Sequence, residues 1–189
     1  KLSFTEMAYF QITGRMATAA ETTMVDACLV TLMEHGLTPS ALSSRLIYSS
    51  APEAMQAAVA AGIMGVGSTF AGTMEGCAVL IDRILTSDAD LETEAQAIAQ
   101  GFRAAKKSLP GFGHHMHKPD DPRSIRLFQI AAEAGVSGPW ISALMALSTA
   151  IDDVYGKHIT INATGAIAAC LGDCGIPAEI MRGFALITR

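Results

Sequence analysis

The sequence contains few charged and few aromatic side chains. Charged residues make up 16% of the chain and aromatic residues 6%, whereas 50% of the residues are hydrophobic. The formal net charge is -5, and no basic cluster with interleaved aromatic residues occurs, so we expect neither nucleic acid nor an anionic membrane surface as a partner. Alanine, methionine, leucine and isoleucine dominate the apolar part, which is typical of a helical protein that buries more surface than a lone monomer. We therefore expect a homo-oligomer.

Long apolar segments and a targeting segment are also missing. No apolar run reaches ~18 residues without a glycine or a polar residue, and no signal peptide opens the sequence, so a cytoplasmic protein is expected. A chain of 189 residues suffices for one domain, or for two lobes that share a core. Small buried thiols are commoner than metal ligands in apolar helical contexts. We expect this of all four cysteines, Cys28, Cys77, Cys170 and Cys174.

Both ends of the sequence fall within predicted helices. Lys1 enters helical sequence without a cap, and the helix from Pro177 reaches Arg189 without a glycine, asparagine or proline stop. We therefore expect the full protein to be longer at one or both ends.

The segment from Leu109 to Arg123 holds three of the five histidines and three of the seven prolines. Pro110, Gly111 and Gly113 end the preceding helix and allow the backbone to approach a ligand closely. Asp121-Pro122 has the form of a helix start, with aspartate as the N-cap and proline at the first helical position. We interpret this segment as an active-site loop.

His114 and Arg123 are the residues of this loop with the clearest chemistry. An imidazole exchanges a proton near neutral pH, and a guanidinium binds a carboxylate through two parallel hydrogen bonds. The pair suits a small carboxylic acid whose carbonyl or hydroxyl group must exchange a proton. For His115 and His117 we favour backbone capping over catalysis. A zinc site at His114 and His117 is the alternative, but the loop contains no cysteine and no acidic ligand at helical spacing, so we predict no metal.

Three other segments carry weaker signals. His35 lies at a helix end, before a stop at Gly36, where the helix dipole favours its charged form. Residues 53–64 are rich in alanine and nearly uncharged, which predicts a helix buried on most sides at a subunit or lobe interface. Residues 65–76 contain glycines that match neither a phosphate loop nor a dinucleotide motif. Residues 159–165 are the only strand-like segment and lack a partner strand, so we predict an all-α fold.

The motif Gly111-Phe112-Gly113-His114, followed by Asp121-Pro122-Arg123, resembles the signature loop of the citrate synthase family. The wider chain, from about residue 24 to 189, resembles the citryl-CoA lyase branch, which includes the C-terminal module of ATP citrate lyase. In that family the loop histidine hydrogen-bonds the carbonyl of oxaloacetate or the hydroxyl of citrate, and His114 stands at its position.

The resemblance assigns four more residues around that histidine. Arg123, nine positions later, matches an arginine that binds a carboxylate, and Arg189 matches another. His35 matches a histidine that contacts the dicarboxylate. Lys118 matches a basic position near the phosphates of coenzyme A. Lys118 and the loop glycines Gly111 and Gly113 would contact the CoA ester. We expect this ester as a substrate and expect no covalently bound cofactor.

Two positions depart from the family pattern. Phe70 stands where the synthases have a second histidine that stabilises the enol of acetyl-CoA, and an aromatic residue there is similar to the lyase branch. Thr164 stands at the position of the family's catalytic aspartate, two residues after Asn162. Asn162 and Thr164 would both lie against the substrate. A threonine does not remove an α-proton near neutral pH, and the loss of such a base costs about 10² to 10⁴ in rate. Candidate replacements are Asp152, Asp153 and His117.

These matches predict a citryl-CoA lyase or citrate synthase-type enzyme that makes or cleaves the C–C bond between an acetyl-CoA unit and a 2-oxo acid such as oxaloacetate. In the cleavage direction His114 would take the proton of the tertiary hydroxyl. The alternative is a non-catalytic or regulatory paralogue that binds CoA esters or di- and tricarboxylates. The family implies a homodimer in which residues 1–75 and 166–189 form a large helical lobe, residues 76–165 form a small one, and the active site lies in the cleft.

Overall fold

The computed structural model describes residues 1–68 and 72–188, so the predicted sites at Phe70 and Arg189 lie outside the described residues. The described part of the chain forms ten α-helices and one short 3-10 helix and contains no β-strand, which confirms the all-α prediction. None of its helices has the length and hydropathy needed to cross a membrane. The helices are α1 (Phe4–Thr13), α2 (Ala19–Leu32), α3 (Pro39–Ser50), α4 (Met55–Met64), α5 (Gly72–Thr86), α6 (Leu91–Ala104), α7 (Pro122–Ala134), α8 (Pro139–Tyr155), α9 (Ala163–Asp173) and α10 (Met181–Thr188), with the 3-10 turn at Ala178–Ile180.

Local capping explains where several helices begin. Asp121 caps α7, and Pro122 occupies its first position, as the sequence predicts. Helix α1 begins with a capping box between Ser3 and Glu6, so the prediction of an uncapped first helix is wrong. Helix α9 begins at Ala163, within the segment predicted to be strand-like, because the side chain of Asn162 caps it.

Helix α9 lies at the centre of the molecule and packs against α2, α5, α7 and α8. Its residues are small and aliphatic, and nearly all of them are buried. A Cβ atom at Gly172 would stand 2.1 Å from Cδ2 of Trp140, so glycine lets α8 and α9 approach closely. The prediction of buried thiols is confirmed, because all four cysteines are free and buried. Burial raises the pKa of the Cys77 thiol to about 12, which keeps it protonated.

Helices α3 and α4 pack mainly against each other and leave an apolar face open. Only Ala58 and Gly62 of α4 are buried, whereas Met55, Val59 and Met64 are 62%, 52% and 80% exposed. The described chain itself therefore does not bury this helix on most sides, and its predicted burial at a subunit interface stays a prediction. An alanine-rich composition indicates that a helix can be covered, but it does not say what covers it.

The extended segment before α9 pairs with the histidine loop. An isolated antiparallel bridge joins Phe112 to Ile161. The amide of Gly113 donates to the carbonyl of Thr160 at 2.7 Å, and the amide of Asn162 donates to the carbonyl of Gly111 at 3.0 Å. The segment has no partner strand among the described residues, as predicted, and it pairs instead with the glycine-rich loop through this isolated bridge. This pairing places the loop beside the N-terminus of the buried central helix.

Candidate active site

A cavity of about 450 Å³ lies between the histidine loop, the start of α9, the end of α2 and the starts of α3 and α5. Six of the sequence-predicted site residues line it: His35, Gly113, His114, Arg123, Asn162 and Thr164. Hydroxyl groups of Thr31, Thr38, Ser40 and Thr73 add polar surface to its wall. The sequence reading did not single out these hydroxyls, because isolated serines and threonines at helix ends carry no recognisable pattern.

Backbone hydrogen bonds fix the orientation of His114. Its Nδ1 accepts from the amides of Met116 at 3.1 Å and His117 at 3.0 Å. A ring nitrogen that accepts these hydrogen bonds carries no proton, so we assign the neutral ring as the tautomer with hydrogen on Nε2. The turn that follows His114 therefore makes its Nε2–H a hydrogen-bond donor.

The surroundings of His114 favour this neutral form. The ring stacks on those of His115 and His117, at centroid distances of 4.8 and 4.4 Å. Burial lowers the pKa of His114, and the nearby charges of His117 and Arg123 lower it further. The two histidines that we assigned to backbone capping thus stack on His114. They help to keep it uncharged near neutral pH.

Arg123 is held by a fully buried carboxylate. Asp121 Oδ1 accepts from the backbone amide and Nε of Arg123, both at 3.0 Å. Its Oδ2 accepts from Nη2 of Arg123 at 2.7 Å and from the amide of Ala163 at 3.1 Å. Burial acts to raise the pKa of Asp121, but the hydrogen bonds from Arg123 outweigh it and hold this pKa below its usual value. Asp121 therefore locks the guanidinium, the helix start of α7 and the start of α9 into one unit.

The held guanidinium lies next to the imidazole. Nη2 of Arg123 is 3.4 Å from Nε2 of His114. With a proton on Nε2, both nitrogens are donors, and one acceptor within hydrogen-bond distance of each satisfies both. A carboxylate, carbonyl or alkoxide oxygen is such an acceptor, whereas a cation would be repelled.

Asn162 and Thr164 form the part of the cavity wall at the start of α9. Asn162 Oδ1 accepts from the amides of Thr164 and Gly165 and from the hydroxyl of Thr164, and its Nδ2 donates to the carbonyl of Gly113 at 3.0 Å. The Thr164 hydroxyl also lies 3.2 Å from that of Thr73. The amide of Asn162 is thus largely committed to holding the loop and the helix together.

The two loop glycines differ in what they contact. Gly113 has φ +80° and lines the cavity. Gly111 has φ +83° and is buried behind it, where a Cβ atom would stand 2.4 Å from Sγ of Cys77 and 2.9 Å from Cα of Gly165. Tight packing against α5 and α9 therefore requires glycine at 111. Lys118 is exposed and does not line the cavity.

His35 reaches the cavity from the end of α2. It is exposed in the chain and also lines a second cavity of about 330 Å³ between α2, α3 and α4. Thr38 caps the next helix, α3, and Pro39 takes its first position. The turn between α2 and α3 places His35, Thr38 and Ser40 along both cavities.

None of the predicted replacements for the family aspartate lines the cavity. Asp152 pairs with His158, Asp153 lies elsewhere on α8, and His117 stacks on His114. As far as the structure describes it, the cavity wall carries no aspartate or glutamate side chain. His35 and His115 are the other ionisable groups of the described wall besides His114 and Arg123.

One group of described residues has the spacing of a metal site. Donor atoms of His114, His117 and Asp121 lie within 4.8 Å of one another, so the structure brings an acidic group to the histidine pair that the sequence spacing did not predict. Each oxygen of Asp121 already accepts two hydrogen bonds. Three of these four bonds come from the cationic residue Arg123. This donor set does not suit a cation.

Comparisons with known proteins agree with the arrangement. Residues 1–189 match the family described as citrate synthase, C-terminal domain. The structure of citryl-CoA lyase from Hydrogenobacter thermophilus is similar, with a TM-score of 0.92 and 31% identity, over 100% of this chain and 72% of that chain. ATP citrate lyase from Methanothrix soehngenii, solved in complex with citrate and coenzyme A, shares the fold, with a TM-score of 0.82 and 15% identity over 99% of this chain and 32% of that one.

A curated relative, putative citrate synthase 2 of Mycobacterium tuberculosis, is 29% identical over 109 residues, which are 58% of this chain and 28% of that protein. The chain thus spans little more than a quarter of the length of this relative.

Proposed function

Because the chain belongs to the citrate synthase family, we propose that it makes or cleaves the C–C bond between an acetyl-CoA unit and a 2-oxo acid such as oxaloacetate, as a citryl-CoA lyase or citrate synthase-type enzyme. The alternative, a paralogue that only binds such compounds, is not favoured by the similar structures, which are of lyases and synthases.

The observation that carries the proposal is the close approach of the His114 imidazole and the Arg123 guanidinium. Their nitrogens lie 3.4 Å apart on one wall of the cavity, and Asp121 holds the guanidinium in place. A 2-hydroxy or 2-oxo acid presents an oxygen next to a carboxylate, which matches one imidazole donor and one guanidinium. Such preorganised donors stabilise negative charge as it develops on the reacting oxygen.

In the cleavage direction, the tertiary hydroxyl of citryl-CoA loses its proton and becomes the carbonyl of oxaloacetate. The C–C bond breaks, and its electron pair forms the enolate of acetyl-CoA, which then takes up a proton. Synthesis runs through the same steps in reverse. The Nε2–H of His114 stabilises the charge on the hydroxyl oxygen in both directions.

This role differs from the proton abstraction that the sequence suggests for His114. Abstraction requires a lone pair on Nε2, whereas the two amides that donate to Nδ1 favour the opposite tautomer. We therefore propose His114 as the hydrogen-bond donor to the substrate oxygen. His35, which lines the same cavity, is then the candidate for the proton transfer.

Several predictions from the resemblance extend this proposal. Arg189 and Phe70 would complete the substrate contacts, and Lys118, exposed on the loop, would meet the phosphates of a CoA ester. The two-lobe division at residues 1–75 with 166–189 and at 76–165 would allow closure over the substrate. The open apolar face of α3 and α4 would be covered in a homodimer, and a cytoplasmic location stays a prediction.

Turnover of citryl-CoA by the wild-type protein and by a His114→Ala variant tests the proposal. We expect the variant to lose about 10²- to 10³-fold in turnover, as after removal of an oxyanion donor. Met116→Ala is the matched control, because Met116 lies on the same loop, is 72% exposed and does not line the cavity. Tight binding of citrate with no product from either protein would instead support the binding-only alternative.

A further inference from the structure

His158 connects the histidine loop to the end of α8. Its Nδ1 lies 2.6 Å from Oδ2 of Asp152, which is in the last turn of α8, and its Nε2 lies 3.1 Å from Oδ1 of Asp120, which is in the loop. The other oxygen of Asp152 accepts from the amide of Ile159 at 2.8 Å. Asp120 directly precedes Asp121, the carboxylate that holds Arg123. The imidazole therefore bridges two elements that are 32 residues apart in sequence, from 120 to 152.

The chemistry of this bridge depends on the charge of the ring. Both ring nitrogens face carboxylates, and an ionised carboxylate accepts hydrogen bonds but cannot donate one. An imidazolium donates from both nitrogens and satisfies both partners, whereas a neutral ring donates from one and presents a lone pair to the other carboxylate. The geometry is thus complete only when His158 is protonated.

We propose that His158 is a positioning residue for the active-site loop: as an imidazolium it ties Asp120 to Asp152 and so keeps the loop that carries His114 and Asp121 in its binding geometry. The consequence for catalysis rests on the proposed function, but the effect on the loop does not. His158 does not line the cavity and acts only through the loop.

The bridge links the loop to the end of α8, whereas several other hydrogen bonds of the loop reach residues 159–163. The amide of Gly113 donates a hydrogen bond to the carbonyl of Thr160, and the hydroxyl of Thr160 donates to the carbonyl of Pro119. Asp121 accepts a hydrogen bond from the amide of Ala163. Residues 159–163 therefore run along the loop, and His158 attaches their N-terminal end to Asp152. Loss of the bridge removes the link between Asp120 and Asp152 and so loosens the loop relative to the end of α8.

The bridge is pH-dependent, and the direction of this dependence follows from the groups that face His158. These groups are Asp152 and Asp120, whose hydrogen bonds raise the pKa of His158 above 6.5. The constraint is therefore fully present below about pH 6.5 and is lost as pH rises through the raised pKa. The pKa of His114 shifts in the opposite direction. A pH window consequently exists in which His158 is charged while His114 is neutral.

Amide hydrogen exchange of the ligand-free protein, measured by NMR from pH 5.5 to 8.5, tests the proposal without any substrate. We expect the protection factors of the Gly113 and Arg123 amides to fall about two- to five-fold as His158 loses its proton, as for a partly exposed ion pair. In His158→Gln they should be low at all pH values. Arg83→Gln removes an exposed ion pair between α5 and α6 and should follow the wild type.

The pKa of His158 itself, read from its ring signals in the wild-type protein, provides a measurement that needs no variant. A value at or below 6.5 overturns the proposal, as does a wild-type exchange profile in His158→Gln. Citrate affinity is measured in the same pH series, and we expect it to weaken above the His158 pKa in the wild type only. If citryl-CoA is not turned over, the proposed function fails, and the exchange data still decide the role of His158.

Discussion

Replacing Asp121 with asparagine tests the unit that holds Arg123. The carboxylate is fully buried and accepts four hydrogen bonds, two at each oxygen. An asparagine has nearly the same shape, but its amide nitrogen would face two donors. Two buried donors then lose their acceptor, and each such loss costs about 1–3 kcal/mol. We therefore expect Asp121→Asn to lower the free energy of unfolding by about 2–6 kcal/mol.

The effect is measured by urea unfolding at pH 7, and the adjacent Asp120→Asn provides the control. Asp120 is half exposed and pairs only with His158 among the described residues, so its replacement should cost less than about 1 kcal/mol. Citrate binding by calorimetry should be weakened much more by Asp121→Asn, because the guanidinium is no longer held. Equal losses of stability in the two variants would refute the reasoning.

Three further predictions follow from particular contacts. Gly111→Ala should destabilise the protein by more than about 2 kcal/mol, because residue 111 has a positive φ and the new Cβ would overlap the buried thiol of Cys77. The control Gly101→Ala, whose Cβ would meet nothing within 4 Å, should be neutral or stabilising, and thermal unfolding compares the two variants. Hydrogen bonds from Arg15 lower the pKa of Glu21 to about 2, so the stability that this pair provides is complete above about pH 4.5 and is lost as pH falls toward 2. Glu21→Gln should flatten acid unfolding curves in that range, and unchanged curves would contradict the linkage. Thr164→Val should lower turnover by less than about ten-fold, since its hydroxyl transfers no proton, and a loss of 10² or more would identify it as part of the proton path.

Local sequence signals predicted the start of α7 and the position of the loop. Asp121-Pro122 marks the start of α7 because its N-cap and first-position chemistry involves only neighbouring residues. The same local interpretation missed the role of Asp121 in holding Arg123 and the start of α9. That role requires Ala163, which is distant in sequence.

Two predicted contacts show why residue type alone does not assign a role. A glycine at position 111 is compatible with close approach of a ligand or with close packing of the chain. In the structure Gly111 packs closely against Cys77 and Gly165. Asn162 fits either a substrate contact or a helix cap, and its hydrogen bonds commit it mostly to the cap. Both decisions depend on tertiary contacts between the loop, α5 and α9.

The exposed face of α4 illustrates a further limit of composition. An uncharged, alanine-rich helix predicts burial, but the chain itself covers only Ala58 and Gly62. Whether a second copy covers the rest is a property of the assembly. Analytical ultracentrifugation at micromolar concentration checks the proposed homodimer.

The central claim is tested most directly by mixing citryl-CoA with the protein and quantifying the products by mass spectrometry. Cleavage between the acetyl-CoA unit and the 2-oxo acid predicts equimolar acetyl-CoA and oxaloacetate. Release of citrate and free coenzyme A, or recovery of intact citryl-CoA, would contradict the account.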